Sequence, residues 1–204
     1  MALLTDDSLL DAAEACFTRL GVAGTTMDAV ADAAGVSRGL VYKRFHNRNG
    51  LILAVLVRRA EAFIARAKAS IEACPTLTDA LVDGILLAVR MAAKDPYFAM
   101  LVVAATTDPA SRVEGASAHA RRLSEELWRP VLELARLRGE LSSNVEVGDV
   151  IDWIMLLEIL LLAARTNGSS DEITQERQLR TLFIPSVVNC SREGALVLET
   201  SNAS

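Results

Sequence analysis

The chain has 204 residues, enough for one sizeable domain or for a small module fused to a larger one. Alanine and leucine dominate, aromatic residues make up only 4%, and runs with the two-residue alternation of strands are few, so the composition favours an all-α protein over a β-sheet protein. A net charge of -5 excludes a nucleic-acid partner only if the charge is evenly spread, because phosphates repel an acidic surface.

The charge is not evenly spread along the chain. No Asp or Glu occurs between residues 33 and 60, and this stretch carries six basic residues: Arg38, Lys43, Arg44, Arg48, Arg58 and Arg59. An acidic protein can therefore present a basic face near its N-terminus.

The cysteines, the first residues and the apolar stretches indicate the cellular compartment of the protein. Cys16, Cys74 and Cys190 are far apart and lack the spacing of a metal or redox motif, which is typical of a reducing compartment and indicates no role for them. The first residues are acidic where a signal peptide is basic. The most apolar stretch, 153–164, is too short to span a bilayer and contains Glu158. We expect a cytoplasmic protein without membrane association.

Two helices are predicted at the N-terminus. Apolar residues at helical spacing follow possible caps at 5–7, and Gly21 lies where this first helix should end. A second, short helix is expected to start at Thr25 or Thr26, either of which can cap it, and to stop at Gly35.

A third helix should follow after a turn of only two residues, with Ser37 as its cap. Val41 and Phe45 are four residues apart and can face inward. The other face carries Gly39, Tyr42, Lys43 and His46. Beside Arg38, the Tyr, Lys and His side chains of this face can hydrogen-bond to phosphates and base edges. Two short helices joined by a tight turn predict a helix-turn-helix, whose second helix protrudes and can enter a groove of DNA.

Six further helices are predicted behind this module, at 48–73, 77–94, 97–105, 116–138, 147–165 and 172–188. Pro130 should kink or split the helix that contains it, and Pro185 should disturb the last turns of the final helix. No linker precedes Arg48, so the long fourth helix should join the N-terminal module rigidly to the rest.

Four stretches have a specific order and spacing: Thr-Met-Asp-Ala-Val-Ala at 26–31, Ala-Gly-Val-Ser at 34–37, Val-Tyr at 41–42 followed by Phe45, and Leu51 after a basic residue. Over residues 8 to 55 the chain thereby resembles the TetR family of bacterial regulators. The resemblance implies a homodimer that binds palindromic double-stranded DNA through the helix-turn-helix and senses a small molecule in the helical bundle behind it.

Carried over by position, the resemblance implies three kinds of DNA contact. Thr26 would touch a phosphate, and His46 and Arg48 would reach the backbone where the fourth helix begins. The family usually has Lys in place of Arg48, and we expect the phosphate contact to survive because the charge is kept. The recognition helix would be presented to the major groove by Ser37, Arg38, Gly39, Tyr42 and Lys43.

These elements together predict an all-α fold of about nine helices, with a three-helix helix-turn-helix domain joined to a helical bundle. We assign residues 1–47 to DNA binding, 48–190 to ligand sensing and dimerisation, and 191–204 to a loosely held tail. Tyr42 could instead be a packed aromatic at a helix junction. The only histidines, His46 and His119, have no partners at ligand spacing, so we expect no catalytic residues, metal or cofactor.

The helix predicted over 147–165 is apolar nearly all round, so it must be covered on more than one side. It could be the core helix of a monomer. A helix that packs on the subunit core with one side and on a second subunit with the other explains the pattern better. We predict a four-helix dimer interface, the arrangement that the resemblance also implies. Its residues would be Ile154, Leu157, Leu161, Leu179, Leu182 and Phe183.

Glu158 interrupts this apolar helix. It should pair across the interface or with a nearby Arg, or bind a polar group of a ligand. A mainly hydrophobic effector is expected to contact Phe63, Met91, Phe98, Trp128 and Glu158, although large apolar residues of this kind can equally form a core.

We therefore expect a repressor that a small hydrophobic ligand releases from DNA, not an enzyme. The alternatives are an activator, a regulator that answers to a protein partner, and a helical ligand-binding protein or enzyme whose helix-turn-helix has lost its role.

Overall fold

The computed structural model describes residues 6–95 and 116–189. The predicted helix over 97–105, Phe98, Cys190 and the tail lie outside the described residues. The helices are α1 (Asp6–Gly24), α2 (Met27–Ala34), α3 (Arg38–Phe45), α4 (Arg48–Glu72), α5 (Leu77–Lys94), α6 (Ala116–Arg138), α7 (Val147–Thr166), α8 (Glu172–Gln178) and α9 (Ile184–Val187), with a π-helical turn at Leu179–Phe183 between the last two. The all-α fold is confirmed, and within the described ranges the only β pairing is an isolated bridge between Leu141 and Val188.

A glycine in a backbone conformation that other residues disfavour interrupts the first helix, and another ends the second. Gly21 has φ 72° and ψ 160° and interrupts α1, and Gly35 ends α2 in the left-handed region. Thr26 is the cap of α2, since its hydroxyl oxygen accepts from the backbone N–H of Ala29 at 3.1 Å. Thr25 is buried and donates to the carbonyl of Gly21 instead, so of the two threonines only Thr26 caps the helix.

Two of the prolines lie inside helical segments. Helix α6 runs through Pro130 without being split. Pro185 lies two residues after the end of the π-helical turn, consistent with the expected disturbance, because proline has no N–H to donate to the carbonyl of Thr181.

Helix α4 connects the two ends of the molecule. It packs against α1 and α3, and also against α5 and α6, while α7 packs on α5 and α6. The buried apolar side chains form one continuous cluster from Leu9 to Val188. The apolar core is therefore continuous between the first three helices and the bundle. No described helix combines the length and apolarity that a membrane crossing requires.

Candidate functional site

The third helix is anchored by one face and open on the other. Val41 and Phe45 are buried, as the spacing predicted. Tyr42 is 43% exposed. It is therefore not an aromatic residue fully packed at the helix junction, which was the alternative role. The remaining predicted contact residues on this helix and at its start are also exposed: Ser37, Arg38, Gly39 and Lys43. The helix thus presents a polar face while its apolar face holds it to the body.

The turn between α2 and α3 is held by backbone hydrogen bonds. The N–H of Gly35 donates to Asp32 at 3.2 Å and that of Val36 to Ala31 at 3.0 Å, which closes the end of α2. Ser37 occupies the cap position of α3, but its hydroxyl makes no capping hydrogen bond. The exposed hydroxyl of Ser37 is therefore available to a phosphate or base.

The junction between α3 and α4 is tight. His46 is exposed and has φ 63°, an unusual value for a residue with a side chain. Asn47 caps α4 by accepting from the N–H of Gly50 at 2.9 Å. A Cβ at Gly50 would lie 2.2 Å from the carbonyl oxygen of Phe45, so only glycine permits this approach. Asn47 and Gly50 were not predicted from the sequence, although an Asn just before a predicted helix is a detectable N-cap signal.

Arg48 points into the protein. Its Nε donates to the carbonyl of Thr25 at 2.8 Å, and its Nη2 donates to the carbonyl of Val22. These bonds tie the start of α4 to the segment between α1 and α2. The predicted phosphate contact of Arg48 is untested, but the structure gives this side chain a positioning role that the sequence did not indicate.

Thr26 is exposed beside this segment. Its oxygen accepts from the backbone of Ala29, which leaves the hydroxyl proton free to donate. The geometry of Thr26 is compatible with the phosphate contact that the resemblance implies.

Acidic residues from other elements neutralise most of the predicted basic face. Four of its six residues form ion pairs, namely Arg38 with Asp28, Arg44 with Asp6, Arg58 with Asp11 and Glu14, and Arg59 with Glu14 and Asp95. Within 6–95 and 116–189, Lys43 and Arg48 form none. The acid-free stretch gave no sign of these pairs, because the acids lie outside residues 33–60.

The candidate ligand residues belong to the interior of the bundle. Phe63 and Trp128 are buried, and Met91 is partly buried. Trp128 packs so closely on α5 that a Cβ at Gly84 would lie 2.4 Å from its ring. These positions are compatible with a core role, with an apolar ligand site, or with both.

Glu158 is buried, and burial raises its pKa to about 8, so the side chain carries a proton at neutral pH. No ion pair of the described residues includes it, so the expected pairing with a nearby Arg of the same subunit is not found there. A neutral carboxylic acid can donate one hydrogen bond and accept others.

The six residues predicted for the dimer interface differ in how exposed they are in the single subunit. Ile154, Leu161, Leu179 and Phe183 are buried within the subunit and have no surface to offer a partner. Leu157 is partly buried, and Leu182 is 74% exposed. The open apolar positions of α7 are Trp153, Leu156 and Leu160, at helical spacing. The dimer interface stays a prediction, but the exposed apolar positions of α7 are not the predicted ones, because a helix apolar all round gives no signal of which side is covered.

Comparison with known proteins agrees with this geometry. Residues 9–55 match the model of the bacterial regulatory proteins, tetR family. The HTH-type transcriptional regulator TtgR of Pseudomonas putida is 39% identical over 66 residues, which cover 32% of this chain and 31% of TtgR. The chain thus matches about a third of the length of that relative.

Two longer matches extend beyond the N-terminal module. The "Probable acrEF/envCD operon repressor" of Escherichia coli is 25% identical over 161 residues, covering 76% of this chain and 71% of that protein. The structure of SmeT, the repressor of the Stenotrophomonas maltophilia multidrug efflux pump SmeDEF, shares the fold with a TM-score of 0.62 at 21% identity over 91% of each chain. Residues 9–55 thus match the N-terminal module of the bacterial regulatory proteins of the tetR family, and the chain shares the overall fold of SmeT.

Proposed function

We propose that this protein is a homodimeric transcriptional repressor that binds a palindromic site on double-stranded DNA and is released by a small, mainly hydrophobic molecule. The observation that carries the proposal is the exposed polar face of α3, with Tyr42 and Lys43 turned outward while Val41 and Phe45 anchor the helix. Such a helix can enter the major groove with its side chains at the base edges. The regulators TtgR and SmeT, whose names describe transcriptional control, support the same function.

Dimerisation is proposed to occur through α7 and the segment that ends in α9. Trp153, Leu156, Leu160 and Leu182 offer an apolar surface that a second copy would cover, and a two-fold axis would build a four-helix interface. Two copies of α3 would then meet successive major grooves about 34 Å apart.

The ligand is proposed to bind among α4, α5, α6 and α7. Phe63, Met91 and Trp128 would supply apolar contacts, and the protonated Glu158 a hydrogen bond. The apolar aromatic compound triclosan, which forms a complex with SmeT, is a suitable first probe. A ligand that favours one position of α4 would change the spacing of the two recognition helices, acting only through its different affinity for the two states.

DNA binding is tested by selecting duplexes from a random library with the full-length protein. We expect a palindrome with half-sites one helical turn apart. Lys43→Ala should weaken binding to the selected duplex about tenfold or more, since it removes a contact in the groove. The matched control is Lys68→Ala, which removes the same charge from a lysine of α4 that pairs with Glu126. The absence of any enriched duplex, or equal effects of the two variants, would contradict the proposal.

Ligand binding is tested in a Trp153→Phe background, where Trp128 is the only tryptophan of the chain. Triclosan should quench the fluorescence of Trp128 and release the selected duplex over the same concentration range. Quenching of Trp128 without release of the duplex would contradict the proposed release mechanism. The absence of both quenching and release would argue against an apolar aromatic effector.

A further inference from the structure

Asp28 of α2 forms an ion pair with Arg38 of the recognition helix, α3. It is in the first turn of α2, and its Oδ1 is 2.5 Å from the Nε of Arg38, the first residue of α3. The Arg38 side chain remains 65% exposed. The ion pair therefore holds Nε of Arg38 beside α2 by charge, without the alignment of a hydrogen bond. Among the described residues, no hydrogen bond or ion pair uses Nη1 or Nη2 of Arg38.

The chemistry of this arrangement suits the recognition of guanine. A guanidinium carries five N–H donors, and the contact through Nε leaves the four of Nη1 and Nη2 for other partners. Guanine presents O6 and N7 in the major groove, where an arginine can donate to both at once. An arginine side chain loses much rotamer entropy when it is fixed, so holding it in place beforehand lowers the cost of binding.

We propose that Asp28 is a positioning residue that orients Arg38 to read a guanine in each half-site. The proposal rests on the DNA-binding function proposed above and goes beyond it by naming the base and the residue that secures its recognition. An exposed ion pair contributes little to folding stability, so stability alone gives little reason for this contact.

The test compares Asp28→Asn with Asp32→Asn. Asp32 lies one turn later on the same helix, is exposed, and forms no ion pair within the described ranges. Each variant removes one negative charge near the duplex, so both should raise non-specific affinity alike. Affinities are measured for the selected duplex and for a set in which each base pair is replaced in turn.

In the wild type we expect one G·C pair per half-site whose replacement lowers affinity about tenfold or more, the size of a bidentate contact. Asp28→Asn should reduce this discrimination to a few-fold, while Asp32→Asn should keep it. Arg38→Lys, which retains the charge but loses the planar fork, should lose discrimination at the same base pair. Adding Asp28→Asn to Arg38→Lys should have no further effect there.

The outcomes separate the two proposals. A wild-type protein without a preferred duplex would overturn the DNA-binding function and this inference with it. A wild type with a preferred duplex, but with equal discrimination in Asp28→Asn and Asp32→Asn, would overturn only the role of Asp28. A uniform loss of affinity in Asp28→Asn at every base pair would also overturn it, since a purely structural role predicts that pattern.

Discussion

Gly84 shows how one missing side chain shapes the bundle. It lies in α5 where a Cβ would be 2.4 Å from the ring of Trp128 and 3.0 Å from Ile71. The large indole of α6 can be buried only because α5 has no side chain at this position. A residue that is unfavourable within a helix is thus required by the packing.

Gly84→Ala should therefore lower the free energy of unfolding by about 1–3 kcal/mol, because overpacking outweighs the gain in helix propensity. The matched control is Gly148→Ala in α7, where a Cβ meets nothing within 4 Å and the change should be neutral or stabilising. Urea denaturation at equal protein concentration measures both. A Gly84→Ala protein as stable as the control would disprove the close packing of Trp128.

Glu158 makes stability depend on pH. Burial raises its pKa to about 8 from an ordinary value of 4.5, so between these values the folded chain keeps a proton that the unfolded chain releases. The stabilisation is complete below the unfolded pKa and is lost as the pH rises towards 8, by up to about 1.4 kcal/mol per pH unit.

Glu158→Gln removes this titration. Relative to the wild type, the variant should become progressively more stable as the pH is raised from 5 to 8, as urea denaturation at several pH values would measure. Stability curves that stay parallel across this range would show that Glu158 is not a buried, protonated acid.

At the scale of the elements, α4 is tied to its neighbours by ion pairs. Arg58 donates to Glu14 of α1 at 2.6 Å, and Arg59 donates both to Glu14 at 2.9 Å and to Asp95, just after α5, at 2.5 Å. Burial by itself would raise the pKa of Glu14, but the hydrogen bonds from Arg59 and Arg58 outweigh it and lower the pKa. This cluster links the first helix to the bundle through the middle of α4.

Glu14→Gln should lower the free energy of unfolding by about 1–3 kcal/mol, because it leaves two partly buried cations without their shared partner. The loss should be seen at neutral pH and shrink as the pH falls through the lowered pKa of Glu14, where the wild-type carboxylate is protonated too. Glu61→Gln, which weakens a half-exposed pair with Arg122, is the control and should cost less than about 1 kcal/mol. Equal losses of unfolding free energy in the two variants would show that the cluster around Glu14 stabilises the fold no more than an exposed ion pair does.

At the scale of the whole molecule, α7 leaves three large apolar side chains exposed in the single subunit, namely Trp153, Leu156 and Leu160. Leu160 is 64% exposed in the single subunit, so a charge there does not disturb the subunit core. In a dimer the same charge would be buried against apolar side chains without a partner.

Leu160→Glu should therefore shift the protein from dimer to monomer at micromolar concentration, as sedimentation velocity would measure. The control is Leu20→Glu on α1, which changes an exposed leucine remote in the fold from α7 and should leave the dimer intact. A Leu160→Glu protein that sediments like the wild type would place the dimer interface elsewhere.

The local elements were readable from the sequence because their signals are local. Gly35 and the Cys74-Pro75 pair end helices through their own backbone preferences, and the predicted bounds of α5 and α6 agree with the structure. The inward positions of Val41 and Phe45 followed from helical spacing alone. The division into domains at residue 47 stays a prediction, since the apolar core is continuous across it.

The sequence by itself determined the helical class, the helix-turn-helix and its outward face, because periodicity, caps and turn residues act within a few positions. Only the tertiary structure decided which arginines remain uncompensated, which side of α7 is open, and that Arg48 turns inward to the carbonyls of Val22 and Thr25. These outcomes depend on Coulomb interactions and packing between residues distant along the chain, and such partners leave no signal in local spacing.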